Sequence, residues 1–478
     1  MFFLRGLATK PGIRADLSVG VRSQPASVDR TSDVERAHSC APWRQRAGPT
    51  LIAVLAWSVS GVAATTAKDP VALDLRALIE IAARDNKDLQ AARYAVEVGR
   101  ARLVQAGLLP NPRLDLSGRS DFAFKNEGEY TQSVGLSQQF PIAGRILRQK
   151  DVARVDVALA QAEIEEAKRK LAGDVAADVY RLLVLDRQIQ SRDELMGIDE
   201  ALAKTTRDRM KAAEVSELDV NTVQLDIQRL SQERALLQSQ RLSLLIALNT
   251  LLGRSASAGL LVNEPVRETD TLPSQEQLLA KALQVRPDFR SALLSADRAQ
   301  AEKSLAQAQR WEDWTVGVGM ERDKLAIEGA PAQGSDRALM LSLSIPLPLF
   351  NKNQGLIAEA AANSNQANAR IEALRLGVAS EITRAYAEAI NLQQLLTRYR
   401  QGLLPVSLRN VQLAQQGYRQ GLVAVLDVVQ AQRQQVELNA AYLNTLDQFL
   451  QTLVRLRTAS GDYLTSVPPG SGTDIKEY

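Results

Sequence analysis

The sequence predicts a mainly α-helical protein with a small β part, built as an internal duplication. Three observations predict it. The chain is rich in Ala, Leu, Gln and Arg and only 4% aromatic, a bias toward long helices packed closely on small side chains. Helical apolar spacing runs through most of it and gives way to two-residue alternation in four short stretches. And one phrase occurs twice. "QQFPIAGRILRQKDVARVDVALAQA" starts at Gln138 and "LSIPLPLFNKNQGLIAEAAANSNQA" at Leu343, with Pro141 and Pro346 205 residues apart. Each is an alternating stretch, a proline, a polar turn and an Ala-rich run.

Residues 1–67 read as a leader. "RQRAGPTLIAVLAWSVSGVAATTA", from Arg44, has a basic start, an apolar core and small residues at Ala63 and Ala64, the pattern of an export signal. The core is too short to cross a bilayer as a helix. The signal sits far inside the chain, so the true start is expected downstream of Met1, and the mature protein is expected to begin between Ala64 and Lys68. The leader holds eight of the 58 basic and four of the 55 acidic residues, leaving 50 against 51 and no basic nucleic-acid surface. The single His, His38, and the single Cys, Cys40, also lie there. The body therefore lacks the residues of a thiol nucleophile, a Ser-His-Asp hydrolase or the usual metalloenzyme. No enzyme activity, metal site or cofactor is expected.

The first repeat is assigned to 72–253. Residues 72–108 read as helix, with Leu75, Leu78, Ile79 and Ala82 on one face, broken at Pro110 and Pro112. Segments 113–124 and 130–140 alternate like strands around the polar "KNEGE". A helix of some 68 residues follows, 144–212, about 100 Å long at 1.5 Å per residue. Its buried seam is Leu171, Val175, Val179 and Leu182. A return helix occupies 216–253 and a linker 254–274. The second repeat, 275–462, gives helix 275–310, strands 311–322 and 335–345, then helices to about 461. There Val436, Ala440, Leu443, Leu446, Leu450 and Leu453 keep the 3.5-residue spacing of coiled-coil packing. Residues 463–478 read as a flexible tail. "AEVSELDV" from Ala213 aligns with "GLVAVLDV" from Gly421 at an offset of 208. At that offset Gly197 faces Pro405, so both long helices are expected to break there. The return helix 216–253 is expected to be continued by 275–310, and 424–461 by 72–108.

The strands carry the sharpest signal. Val134 and Leu136; Trp314, Val316 and Val318; and Leu339, Leu341, Leu343 and Ile345 alternate with Gly, Ser or other small or polar residues. Apolar outward and small or polar inward over about ten residues fits a transmembrane β-strand, with those side chains facing lipid. Four strands cannot close a barrel, and open edges are excluded from lipid because unpaired backbone groups there cost several kcal/mol each. The barrel must therefore be shared: two chains would give eight strands, three would give twelve.

At this point the chain resembles the TolC-like outer-membrane efflux proteins, over about residues 72–464. The resemblance is carried by "YRQGLVAVLDVVQAQ" from Tyr418, "VSELDVNTVQLD" from Val215 and the corners at Pro141 and Pro346. "IPLPLFNKNQGLIAEA", from Ile345, looks most like the cobalt-zinc-cadmium resistance branch. The resemblance implies a homotrimer in the bacterial outer membrane reaching into the periplasm, with a twelve-stranded barrel above a twelve-helix tunnel. It implies a passive duct whose partners are a periplasmic adaptor, an inner-membrane resistance-nodulation-division pump and outer-membrane lipid. Divalent heavy-metal cations are the expected cargo. A drug or peptide export channel of the same family is the alternative within the class, and a soluble periplasmic coiled-coil adaptor the alternative outside it.

Two hairpin tips are expected to dock the adaptor: Ala213, Glu214, Val215 and Ser216, and Gly421, Leu422, Val423 and Ala424. Gly421 suits a tight turn with positive φ; the first tip departs from the family in having Ala213 and Glu214. For the gate, Tyr418 matches the family's tip tyrosine. Asp219 is expected to accept a hydrogen bond from its hydroxyl and help hold the tube closed, and Asp427, repeated by trimer symmetry, to form a carboxylate ring. Local helix capping is the competing role for both carboxylates. Val423 stands where the family often has a lock arginine, and Gln430 in place of a possible second acidic ring.

Overall fold

The computed structural model describes residues 72–123, 128–266, 272–326 and 333–465, with 329 and 331 between. The leader with its expected cleavage site lies outside the described residues, as does the expected tail beyond 465; residues 463–465, expected to open that tail, are instead helical, with Tyr463 buried.

Each half runs helix, strand, strand, helix, helix. The first comprises β1 (Ala72–Leu73), α1 (Leu75–Asp85), α2 (Lys87–Ala106), β2 (Arg113–Ser120), β3 (Tyr130–Phe140), α3 (Arg145–Lys211) and α4 (Glu217–Leu251). The second comprises β4 (Leu261–Val262), α5 (Gln275–Val285), α6 (Pro287–Ala308), β5 (Trp314–Lys324), β6 (Asp336–Ser344), α7 (Gln354–Arg398), α8 (Leu404–Arg419), α9 (Val425–Ser460) and the short α10 (Asp462–Thr465). No helix among the described residues is long and apolar enough to cross a membrane.

α3 is 67 residues long, about 100 Å, and organises the rest. Near the sheet it packs between α2 and α6, and beyond its middle between α4 and α9. The first stretch is marked by Arg298 donating to Asp156 at 2.5 Å. The second is marked by Arg241 donating to Asp186, also at 2.5 Å, and by Gln188 donating to Asn444 at 3.0 Å. α7 and α8 flank α6 and α9. The lateral order, α2 with α4, then α3, then α6 with α9, then α7 with α8, matches the sheet order β2-β3-β5-β6.

The expected continuation of the return helices is corrected here. α4 does not run on into α5 and α6; its end abuts the start of α2. Asn86 caps α2 by accepting from Leu89 N at 2.9 Å and donates to Leu251 O at 3.0 Å. Gly253, at φ +66°, lies so close that a Cβ would stand 2.2 Å from Asp85 O. Likewise α9 abuts α6: Arg286 donates to Ala459 O at 3.0 Å and to Glu381 at 2.8 Å. Each half thus completes itself, by a local fold-back no periodicity encodes. β1 and β4 pair in parallel beside the first junction, and Glu264 accepts from Leu75 N at 3.1 Å. The main core fills this waist: Leu78, Ala82, Val175, Val179, Leu248, Leu252, Leu446, Phe449 and Leu453.

The expected break at Gly197 is also absent: α3 runs through it, whereas the second half widens into a π-helical stretch, Tyr399–Leu403, just before Pro405 and continues as helix. Glycine weakens a helix by about 1 kcal/mol but keeps its N–H; proline has none and clashes with the preceding turn. The distortion is thus proline's alone.

Candidate functional site: the sheet faces and the hairpin tips

The antiparallel register sorts the sheet into two faces. Leu114, Leu136, Val318 and Leu341 form one cross-strand row; Leu116, Val134, Met320 and Leu339 form the next. Val316 pairs with Leu343, and Phe140 with Trp314. All of these share a face, and all but the half-buried Trp314 are exposed, as is Ile345 just past β6. Leu114 and Leu116 belong to the band although β2 gave little sequence signal; its polar neighbours hide the alternation. The opposite face carries Ser133, Gly135, Ser137, Gly317, Gly319 and Ser342. Space there is short: a Cβ on Gly317 would stand 2.4 Å from Ser342 Oγ. β2 and β6 are edge strands, each with no partner on its outer side among the described residues.

The tips are the second part of the site. α3 stops because Ala213 takes φ +60°, with Ala213 N donating to Met210 O and Glu214 N to Arg209 O, both at 2.9 Å. Ser216 then caps α4 in a reciprocal box: Asp219 accepts from Ser216 N at 2.9 Å and Oγ at 2.8 Å, and Asp219 N donates to Ser216 Oγ at 3.3 Å. The second tip has the same shape, with Gly421 at φ +75°. Leu422 N donates to Gly417 O at 2.8 Å, and Asp427 accepts from Ala424 N at 3.0 Å. Alanine has no side-chain oxygen, so this box is half made.

The expected hydrogen bond from Tyr418 to Asp219 is not the one formed. Asp219 is engaged by Ser216, three residues away, which a flexible chain reaches more easily than a neighbouring hairpin. Tyr418, 3% exposed, pairs its hydroxyl with Thr206 Oγ1 at 3.1 Å. Arg209 lies over its ring, 4.7 Å from the centroid, and donates to Tyr418 O and Glu214, both at 2.9 Å. Tyr418 therefore ties α8 to α3, packed on Val223, Val425, Val428 and Val429. Asp427, Leu422 and Glu214 remain exposed at the end of the molecule, and Val215 and Val423 are half-buried.

Above the tips lies a polar cluster the sequence reading missed. Asp199 of α3, Asp226 of α4 and Gln432 of α9 are 3%, 5% and 2% exposed. Arg433 donates to Asp226 at 2.8 Å. Burial, and then the neighbouring Asp226 carboxylate, push the Asp199 carboxyl up to about 7. The Gln432 amide lies beside the Asp199 carboxyl and partly offsets that rise. The signal was present: Asp226 and Gln432 interrupt the apolar seams Val220, Val223, Leu230 and Val425, Val428, Val429. No cluster of three or more potential metal ligands occurs among the described residues.

The model of the outer membrane efflux protein family matches residues 78–254 and 278–462. The cobalt-zinc-cadmium resistance protein CzcC of Cupriavidus metallidurans is 24% identical over 390 residues, covering 79% of this chain and 88% of that protein. The pyoverdine export outer membrane protein OpmQ of Pseudomonas putida is 26% identical over 390 residues, covering 75% and 80%. The crystal structure of CusC superposes with a TM-score of 0.66 at 19% identity, over 81% of this chain and 91% of that one, a likeness of fold.

Proposed function

We propose that this chain, which belongs to the outer membrane efflux protein family, is the exit duct of a tripartite efflux pump in the bacterial outer membrane. Three copies close their sheets into a twelve-stranded barrel and their helices into a tunnel through the periplasm. One observation carries the reading: a four-stranded sheet, apolar on one face and open at both edges, on a helical wall about 100 Å long. The flanks of that wall support it. Leu218, Leu225, Leu236 and Leu242 on the α4 side, and Leu376, Leu408 and Leu413 on the α7–α8 side, are exposed in the single chain and are covered when neighbours join.

The duct does no chemistry and uses no energy. A periplasmic adaptor docks at the two tips and an inner-membrane resistance-nodulation-division pump supplies the drive. Exposed Asp427, repeated threefold, forms a carboxylate ring that favours cations. Divalent heavy-metal cations are the proposed cargo, on the likeness to the cobalt-zinc-cadmium resistance protein. The likeness to the pyoverdine exporter favours a second reading, export of a larger organic solute. Deleting the gene and restoring it should decide between them. The metal reading expects sensitivity to zinc, cadmium or cobalt reversed by the intact gene; sensitivity confined to organic compounds refutes it. Cross-linking in native membranes that gave only monomers would refute the shared barrel.

A further inference from the structure

We infer that the rim of the sheet farthest from the helices is a docking surface for the phosphate groups of a phosphorylated outer-leaflet lipid. This rests on reading the sheet as a barrel wall. β5 ends Glu321-Arg322-Asp323-Lys324, alternating acid and base along consecutive positions. Since neighbours on a strand point to opposite faces, the bases fall on the apolar face and the acids on the other. β6 repeats the rule with Asp336 and Arg337. The register places Arg322 directly opposite Arg337, and Asp323 opposite Asp336. Lys324, one row farther, lies opposite Tyr130. Three cations therefore cap the apolar band on its own side.

Like charges facing each other across strands are destabilising, so this pair calls for an anion. Among the described residues neither arginine forms an ion pair with a carboxylate. Among the described residues Arg322 donates to Ser335 Oγ at 3.0 Å and lies 5.7 Å from the Tyr130 ring. Both guanidinium groups are exposed.

Position identifies the anion as a lipid's. The Arg322–Arg337 row is two residues beyond the Met320–Leu339 row, about 7 Å along the strand. A lipid whose chains lie on Leu339, Leu341 and Leu343 brings its headgroup to that height. Tyr130, one row farther beside Lys324, is an amphipathic ring of the kind that gathers at a membrane interface. Guanidinium groups match phosphate in a fixed two-pronged geometry, and three copies repeat the site around the barrel.

The test uses the full chain in phosphatidylcholine vesicles with and without diphosphoryl lipid A. Insertion is checked first by protease protection; a wild type that does not insert overturns the barrel reading itself. Given insertion, lipid A should stay bound to the wild type through purification and raise the temperature at which the oligomer dissociates. Arg322→Gln with Arg337→Gln should insert normally yet retain at least tenfold less lipid A, near fivefold per cation removed. Arg322→Lys with Arg337→Lys keeps the charge and should retain most of it. Equal retention by the glutamine variant, or equal protection of the wild type by inorganic phosphate alone, overturns the inference.

Discussion

Replacing Asp199 by Asn should make the helical body less sensitive to pH, and the direction follows from the cluster it occupies. Asp199 is buried beside Asp226, and its carboxyl is pushed up to about 7 from 3.8. Between those values the folded chain holds a proton that the unfolded chain has released. Stability therefore falls as pH rises from about 4 to about 7 and is level above it, the opposite of a salt-bridged aspartate. A shift of about 3 units at about 1.4 kcal/mol each sets a ceiling of about 4 kcal/mol. Gln432 hydrogen-bonds the Asp199 carboxyl and favours its charged form, but less strongly than burial opposes it. Asparagine keeps the shape and a donor without the titration. The variant should match the wild type near about pH 4 and exceed it above about pH 7 by roughly 1–4 kcal/mol. The assay is the midpoint of thermal unfolding by far-UV circular dichroism, followed across that range in detergent. A difference between the two proteins that did not change with pH, or a variant weaker at high pH, would refute the argument.

Four further outcomes are expected. Leu341→Arg should destabilise the inserted protein by about 2–4 kcal/mol at the bilayer midplane, and Ser342→Arg by much less, measured by urea titration in lipid vesicles; equal effects would show that the two faces are not distinct. Gly253→Ala should lower the unfolding midpoint clearly, since positive φ alone costs roughly 1–2 kcal/mol and the new Cβ meets Asp85 O at 2.2 Å; an unchanged midpoint would mean that the α4–α2 junction is loose. Ala213→Gly should relieve backbone strain at the first tip by about 1 kcal/mol, and Ala424→Ser should complete the second capping box for a similar gain, both read as raised midpoints. Glu214→Lys and Gly421→Trp should abolish resistance without lowering oligomer yield, and wild-type resistance in both would remove the tips from adaptor docking.

Much of this was legible in the sequence because it rests on periodicity. The alternation Leu339, Leu341, Leu343 survives in the structure as a face, and the seam Val175, Val179, Leu182 as a core. Gly421 required positive φ and has it. What was illegible depends on which segments meet. Nothing in residues 216–253 states that the helix will end against Asn86 and not run on toward residue 275. The role of Tyr418 was misassigned for the same reason. Its partners Thr206 and Arg209 lie on α3, and Asp219 was satisfied locally before any distant hydroxyl could compete. Gly197 was over-read: an alignment opposite proline does not give glycine proline's missing donor.

The junctions have a consequence for how the protein is made. Residue 86 is synthesised early, but the carbonyl it needs belongs to residue 251, and the arginine at 286 waits for residue 459. A chain threaded outward from its N-terminus therefore travels with the Asn86 amide and then the Arg286 guanidinium without their carbonyl partners until the corresponding late helix arrives. Each half closes only on its own last turn. Cutting the chain within 254–274 should leave two fragments that each contain both members of their junction, whereas a cut between 86 and 251 separates them. Coexpressed halves divided at the linker should therefore reassemble, and halves divided inside α3 should be degraded before export is complete.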